Sequence, residues 1–171
     1  MVTIAIETVG EERFIHGFNR YVADMEDFSE VFEVLGKDFW KLEEKIFDAE
    51  GTPDAFAPLS PRYKKWKDEH FPGRRIMELR GRLRGALTGT HQAASQDTIK
   101  KIGKKAAEYG AKVPYIHRHQ MGTGGMPARK VVQLTEQDKT RWARIIQRWS
   151  FEKLQARVGG PYGMRGSQGL R

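Results

Sequence analysis

The sequence predicts an α+β fold, in which a small, mainly antiparallel sheet packs against a long N-terminal helix and a C-terminal helix, with flexible loops. Apolar residues recur at steps of three and four over 18–46 and over 142–149, as on one face of a helix. Apolar and polar residues alternate over 2–7, as in a half-buried strand. With 171 residues, 39% of them hydrophobic, the chain can bury the core of one domain, which we expect over 1–157.

The N-terminal third is predicted to hold a short edge strand over 2–9 and one amphipathic helix from Phe18 to Glu50. At about 1.5 Å per residue this helix would be roughly 50 Å long, more than a compact core of this size requires. We therefore expect Gly36 to bend or split it, or one end to project and be buried by a neighbouring subunit. Its polar face is predicted to carry Asp24, Glu26, Asp27, Glu30, Glu33, Glu43 and Glu44.

Residues 52–75 predict an irregular connection, because four prolines interrupt any regular run. A short helix is expected inside it. Ser60 is a favourable N-cap residue and Pro61 suits the first helical position, so this helix would start there and continue through Trp66.

Residues 79–87 predict a further helix, with leucine at every fourth position. Gly81 and Gly85 each cost such a helix about 1 kcal/mol relative to alanine, so packing has to stabilise it. After a polar stretch, residues 98–103 are a weak strand candidate, which would pair with the N-terminal strand in a small sheet.

The C-terminal part is predicted to contain a strand over 131–134 and then a helix. Thr135 with Asp138 three residues later forms an N-cap pattern, and tryptophan and isoleucine share one helical face over 142–149. The segment 158–171 contains five glycines beyond residue 158 and little to bury, so it is expected to be a flexible tail.

Composition excludes several kinds of chemistry. The chain has no cysteine, so disulfides, thiolate zinc sites and cysteine nucleophiles are impossible. The N-terminus lacks a basic stretch, and its apolar run is too short for a signal peptide or a membrane span. We therefore expect synthesis in a cytoplasm and no membrane partner.

The net charge of +8 hides a strong asymmetry along the chain. Residues 1–61 carry 5 Lys and Arg against 14 Asp and Glu, whereas residues 62–105 carry 13 against 4 and residues 106–171 carry 12 against 4. The acidic part of one subunit could therefore meet the basic part of a neighbour, or the basic part could face nucleic acid. Two separate solvated surfaces are the alternative.

No catalytic constellation is visible. His117 and His119 lie two residues apart, so they share a face only on a strand, and packing or hydrogen bonding is a better interpretation than a metal site. The Gly122–Gly125 segment lacks the Lys and Ser/Thr of a phosphate-binding loop and predicts a mobile, hairpin-like loop. No cofactor is predicted, and the chain is not expected to be an enzyme.

A basic segment with interleaved aromatic residues is the candidate for charged contacts. Such a segment can hold phosphates and stack bases, or it can pair with the acidic helix of another subunit. No helix-turn-helix or zinc finger is present, so sequence-specific recognition is not expected. The candidate residues are Arg62, Lys64, Lys65, Trp66, Arg74, Arg75, Arg80, Arg82 and Arg84.

Several short motifs follow one another between residues 45 and 135. They are Phe47 with Glu50-Gly51, Phe56-Ala57-Pro58-Leu59-Ser60-Pro61 with Tyr63-Lys64, Met77 with Leu79, Gly81 and Leu83, Ile102-Gly103, Tyr115 to Gly122, and Pro127-Ala128-Arg129. In this order they resemble the signature of the phage virion morphogenesis family. The chain departs from it where Phe56 replaces the usual tryptophan and where Tyr115-Ile116 stands for Tyr-Ala.

The resemblance implies a non-enzymatic structural protein of a bacteriophage virion, a tail-completion-like domain that forms a ring in the neck or tail end. Such a protein completes the tail or joins it to the head. The implied partners are further copies of itself, with a hexamer as the expected ring, and neighbouring neck, connector, tail terminator or tail tube proteins. A nonspecific nucleic-acid-binding accessory protein is the alternative, and contact with passing DNA is compatible with both. The implied location is the virion.

The signature also nominates contact residues. We expect subunit or partner contacts at His117, His119, Gln120, Gly122, Gly124, Gly125, Pro127 and Arg129. For Arg129, a salt bridge within the subunit is an equal alternative, because a rigid guanidinium fork serves either purpose.

Overall fold

A computed structural model shows the predicted α+β fold and describes residues 11–89 and 96–158. Helices dominate, and one two-stranded antiparallel sheet accompanies them in the described ranges. In chain order the elements are α1 (Glu11–Asp24), α2 (Ser29–Asp48), α3 (Pro61–His70), α4 (Arg82–Thr88), β1 (Thr98–Ile102), β2 (Ala107–Ala111), α5 (Ile116–Met121) and α6 (Glu136–Val158). The strand predicted over 2–9 and the tail from 159 lie outside the described residues.

The prediction of one continuous N-terminal helix is wrong, because the chain breaks between α1 and α2. The Asp27 carboxylate accepts a hydrogen bond from the Ser29 amide at 2.9 Å, which starts the second helix. The amide of Phe28 donates instead to the carbonyl of Lys104, 2.8 Å away. The apolar spacing continues across this break, so the periodicity alone does not reveal it.

The predicted break at Gly36 does not occur, and this glycine has a packing role inside α2. A Cβ atom there would lie 2.6 Å from a ring carbon of Tyr109 in β2. The tyrosine hydroxyl donates to the carbonyl of Phe32, and its ring lies 5.9 Å from that of Phe39. The absence of a side chain at position 36 therefore lets the sheet approach α2.

The core lies between α2, α4 and the segments that follow the sheet. Its buried residues are Phe39, Ile46, Phe47, Phe56, Leu83, Ala86, Leu87, Val113 and Val131. Phe47 and Phe56 meet edge to face with 6.4 Å between ring centroids, a favourable aromatic geometry. Through this contact, the core joins helices α2 and α4 to the loop at 52–60.

The predicted strand at 98–103 is confirmed as β1. It pairs antiparallel with β2, from Thr98 opposite Ala111 to Ile102 opposite Ala107. The sequence predicted no strand at β2, and the pairing predicted with the N-terminal strand falls on residues outside the described ranges. The sheet is local, because only four residues connect its two strands.

Of the two helices predicted in the middle of the chain, one is confirmed and the other begins later than predicted. The helix starting at Ser60-Pro61 is confirmed as α3. The helix predicted over 79–87 begins only at Arg82, because Gly81 has a φ angle of 76°, which a right-handed helix excludes. The leucine at position 79 therefore precedes the helix.

The predicted start of α6 is confirmed in atomic detail. The Thr135 hydroxyl accepts from the Asp138 amide at 3.1 Å, and the Asp138 carboxylate accepts from the Thr135 amide at 3.0 Å, which is a reciprocal capping box. The Asp38 carboxylate of α2 then accepts from Arg141 and, at 2.7 Å, from the indole of Trp142. These bonds fasten α6 to α2.

Helix α1 packs against the C-terminal half of α6. Gly17 lies so close to α6 that a Cβ atom would stand 2.3 Å from the carbonyl oxygen of Arg157. The Asp24 carboxylate pairs with the Arg157 guanidinium at 2.8 Å, and the hydroxyls of Tyr21 and Ser150 are 2.8 Å apart. None of the described helices is both long enough and apolar enough to cross a membrane.

Candidate functional site

A cleft of about 700 Å³ opens between four segments of the chain. Its volume falls in the range of about 300–1,000 Å³ that is usual for ligand pockets. We call it the signature cleft, because the motifs that resemble the family signature supply most of its walls. It is lined by residues 58–60, 63, 67, 77–83, 115, 119, 125–127 and 129.

Apolar and aromatic side chains line much of the signature cleft. Leu83 is buried, whereas Tyr63 and Tyr115 are 40% and 38% exposed. Met77 and Met126 contribute two flexible thioether side chains, which adapt well to a variable surface. The cleft can therefore accept an apolar side chain.

Arg129 anchors one wall of the cleft from inside the protein. It is only 6% exposed, and its Nε and Nη2 atoms donate to the carbonyls of Ala57 and Pro58 at 2.6 and 2.9 Å. Its backbone amide donates to the carbonyl of His119 at 2.6 Å. The salt bridge that was the intrasubunit alternative is not formed with any described residue, since Arg129 bonds two backbone carbonyls and no carboxylate. A partner contact stays a prediction.

Gln120 faces inward and closes the loop beneath the cleft. Its side-chain oxygen accepts from the amides of Val131 and Val132 at 2.9 and 3.1 Å, and its amide nitrogen donates to the Val132 carbonyl at 2.7 Å. We call this arrangement the Gln120 clamp. It bonds backbone groups that a neighbouring strand would otherwise bond, so the strand predicted over 131–134 does not form and that prediction is wrong.

His119 lies in the cleft with part of its ring buried. Its Nδ1 atom is buried and has no hydrogen-bond partner among the described residues. Burial, and then the nearby Arg129 charge, lower the pKa of His119, so the neutral imidazole is favoured. Tyr115 meets the imidazole edge to face, with ring centroids 5.7 Å apart.

The remaining signature residues have separate positions. His117 is exposed on α5, so the two histidines diverge, as expected on a helix. The Gly122–Gly125 loop is hairpin-like as predicted, with Thr123 and Met126 exchanging two backbone bonds. Gly122 has a φ angle of 74°, and a Cβ atom there would lie 2.9 Å from the Ala128 amide nitrogen.

Two buried cations line the cleft, and neither has a carboxylate within ion-pair distance among the described residues. Lys67 is 2% exposed and its ammonium group donates to the carbonyl of Arg75, while Arg129 is bonded to carbonyls as described. Burial lowers the pKa of Lys67. The nearby carboxylates of Glu50 and Glu78 act on Lys67 in the opposite sense, so Arg129 is the less compensated of the two buried charges.

The basic segment predicted for charged contacts, Arg62 to Arg84, contains cations that form ion pairs within the protein and cations that do not. Arg75 and Arg84 pair with Asp48, Arg84 also pairs with Glu78, and Arg82 pairs with Asp97. In the part of the chain that the structure describes, five of the predicted contact cations have no carboxylate partner. They are Arg62, Lys64, Lys65, Arg74 and Arg80.

The ring of Trp66 already stacks on neighbouring side chains of α3. Its ring stacks on Tyr63 three residues before and on His70 four residues after, with centroid distances of 5.5 and 4.9 Å. These rings take positions that nucleic-acid bases would need for stacking. The aromatic part of the segment therefore stabilises the exposed side of α3.

Helix α1 presents a row of apolar side chains to solvent. Phe14, Ile15, Phe18 and Val22 are between 44% and 54% exposed, and Phe14 stacks on Phe18 with centroids 6.0 Å apart. We call this row the α1 stripe. Contiguous exposed apolar surface of this kind is typical of protein–protein contacts.

Glu43 is a residue that the sequence analysis assigned wrongly. It was predicted on the polar face of the helix, yet it is fully buried in α2, and both carboxyl oxygens lack hydrogen-bond partners within the described residues. Burial raises its pKa to about 8. Its spacing of four residues from Phe39 and three from Ile46 is the signal that places it on the core side.

No group of three or more His, Asp or Glu residues within 11–89 and 96–158 could hold a metal ion. A sequence profile described as the phage virion morphogenesis family matches residues 10–150. Comparisons with curated proteins and with solved structures found no significant match.

Proposed function

Since this chain belongs to the phage virion morphogenesis family, we propose that it is a non-enzymatic structural protein that forms a ring in the neck or tail end of the virion. There it would complete the tail or join it to the head. The match over residues 10–150 is the observation that carries the proposal, because it spans seven of the eight described elements completely and most of α6. The chain would be made in the host cytoplasm and end in the virion.

The surfaces of the molecule support assembly into a ring. A cyclic ring needs two different patches on each subunit, one for each neighbour. The α1 stripe lies in the acidic first third of the chain, whereas most of the signature cleft and the unpaired cations lie in the basic remainder. Apolar contact and opposite charge can therefore act at different places of one subunit.

The partners proposed are further copies of this chain, expected as a hexamer, together with neighbouring neck, connector, tail terminator or tail tube proteins. The nucleic-acid accessory protein is the second candidate, and the five unpaired cations from Arg62 to Arg80 are the observation that favours it. The stacked ring of Trp66 argues against base stacking there.

The experiment is the mass of the purified protein in solution, followed by negative-stain imaging with and without neighbouring tail or portal components. Closed rings in either condition support the proposal. A Phe18→Glu variant tests the α1 stripe and should prevent ring closure, whereas Asn19→Glu, on the exposed side of the same helix, should leave the rings intact. Persistent monomers that bind DNA with a steep salt dependence would overturn the proposal in favour of the accessory protein.

A further inference from the structure

The signature cleft combines an apolar interior with positive charge. The described carboxylates compensate this charge in part: Glu78 also lines the cleft, where it is 9% exposed and paired with Arg84, and it acts on Lys67 from nearby. Lys67 and Arg129 are nearly fully buried, yet both are bonded to neutral carbonyls. The bonds of Arg129 use Nε and Nη2, so Nη1 is left for another acceptor. Carboxylates near Lys67 stabilise its charge, whereas Arg129 has none among the described residues. A buried cation without a counter-ion is unfavourable, and an incoming carboxylate would supply one for Arg129.

The Nδ1 atom of His119 is buried and unbonded among the described residues, and His119 lines the cleft. Arg80, at the exposed side of the cleft, has no carboxylate partner in the described part of the chain.

The number of available cations distinguishes a carboxylate from a nucleic-acid backbone. Four cations line the cleft, but Arg82 is held by two bonds to Asp97, and Lys67 and Arg129 are nearly buried and already bonded to carbonyls. This leaves Arg80 as the one lining cation without a partner in the described ranges. A nucleic-acid groove presents a track of free cations along successive phosphates, and one acidic side chain needs far fewer.

We propose that the signature cleft binds an extended peptide segment of a neighbouring virion protein, in which a carboxylate stands beside an aromatic or large aliphatic side chain. The apolar side chain enters between Tyr63, Tyr115 and Met126, and the carboxylate lies towards Arg80 and Arg129. This inference rests on the proposed function, because it assumes a virion neighbour. The charge complementarity and the adaptable methionine surface select the class of occupant.

The test uses the full-length chain and a library of random 12-residue peptides displayed on filamentous phage. Peptides are first depleted on an Arg80→Glu variant and then selected on the unaltered protein. We expect a consensus that contains Asp or Glu next to an aromatic or aliphatic residue. A synthetic fluorescent consensus peptide, and the same peptide with Lys in place of its acidic residues, are then titrated.

Two variants of the cleft and two matched controls locate the binding. Arg80→Glu and Met126→Arg should weaken the consensus peptide by roughly tenfold or more, which corresponds to about 1.4 kcal/mol. Arg144→Glu and Met121→Arg change exposed residues outside the cleft and should leave the affinity unchanged within about twofold. Circular dichroism checks that each variant is folded.

Several outcomes would overturn the inference. These are no enrichment, a consensus without acidic residues, equal losses in the cleft and control variants, or displacement of the peptide by a single-stranded oligonucleotide whose own binding requires Arg80. Peptide selection needs neither a ring nor a virion. Rings without peptide binding would therefore contradict this inference alone, and peptide binding without rings would contradict the proposed function alone.

Discussion

Replacement of Glu43 by glutamine should abolish a steep pH dependence of the stability of this protein. The carboxyl group is fully buried in α2 and has no hydrogen-bond partner among the described residues, so the neutral form is strongly favoured in the fold. Its pKa rises from 4.5 in the unfolded chain to about 8 in the folded protein. The folded state therefore binds this proton more tightly than the unfolded state does.

The sign and the size of the stability change with pH follow from this difference in pKa between the folded and the unfolded state. The stabilising contribution is complete below the unfolded pKa of 4.5 and is lost as the pH rises towards 8. Each pKa unit corresponds to about 1.4 kcal/mol, so the free energy of unfolding should fall by roughly 3 kcal/mol by pH 7 and by roughly 5 kcal/mol above pH 8. Such a loss is a large part of the usual stability of a domain.

The assay is urea unfolding followed by tryptophan fluorescence, at several values between about pH 5 and pH 9. Glu43→Gln removes the ionisable group, and Glu44→Gln changes the exposed neighbouring residue as the control. Shifts of other groups are shared by all three proteins, so the difference between the curves isolates Glu43. Parallel curves for Glu43→Gln and the unaltered protein would refute the reasoning.

Three further substitutions test the packing described above. Gln120→Ala removes the Gln120 clamp and should lower the free energy of unfolding in urea by about 1–3 kcal/mol. His117→Ala, which changes an exposed residue of the same helix, should not lower it. Equal effects of the two variants would show that the Gln120 clamp does not stabilise the fold. Gly36→Ala places a Cβ atom 2.6 Å from the Tyr109 ring, so it should lower the free energy of unfolding by about 1–3 kcal/mol and with it the melting temperature. An unchanged melting temperature would show that the ring moves freely. Gly17→Ala should separate α1 from α6 and speed amide hydrogen exchange in α1, and unaltered protection of α1 would contradict the close approach.

Features that depend on neighbouring residues in the chain could be predicted from the sequence. The capping pattern of Thr135 with Asp138 fixed the start of α6, and Ser60 with Pro61 fixed the start of α3, because each pattern satisfies backbone groups of its own helix. The fold class followed from the periodicity in the same way.

Features that depend on distant residues could not be predicted. The break before Ser29 involves the carbonyl of Lys104, and the loss of the strand at 131–134 follows from the side chain of Gln120. For the site, the signature predicted residues such as His119 and Arg129, which the fold brings together in the cleft. It did not show that Arg129 is buried, because its partners are backbone carbonyls more than 70 residues away.

The contact between α1 and α6 has a consequence for the synthesis of the chain. Gly17 is made early and Arg157 late, with about 140 residues between them. At roughly 5–20 residues per second, α1 leaves the ribosome about 7–28 seconds before its α6 partner exists. During this interval two faces of α1 are uncovered, the α1 stripe and the face that α6 later covers. Nascent chains translated side by side would therefore associate more readily before the last helix emerges than after it.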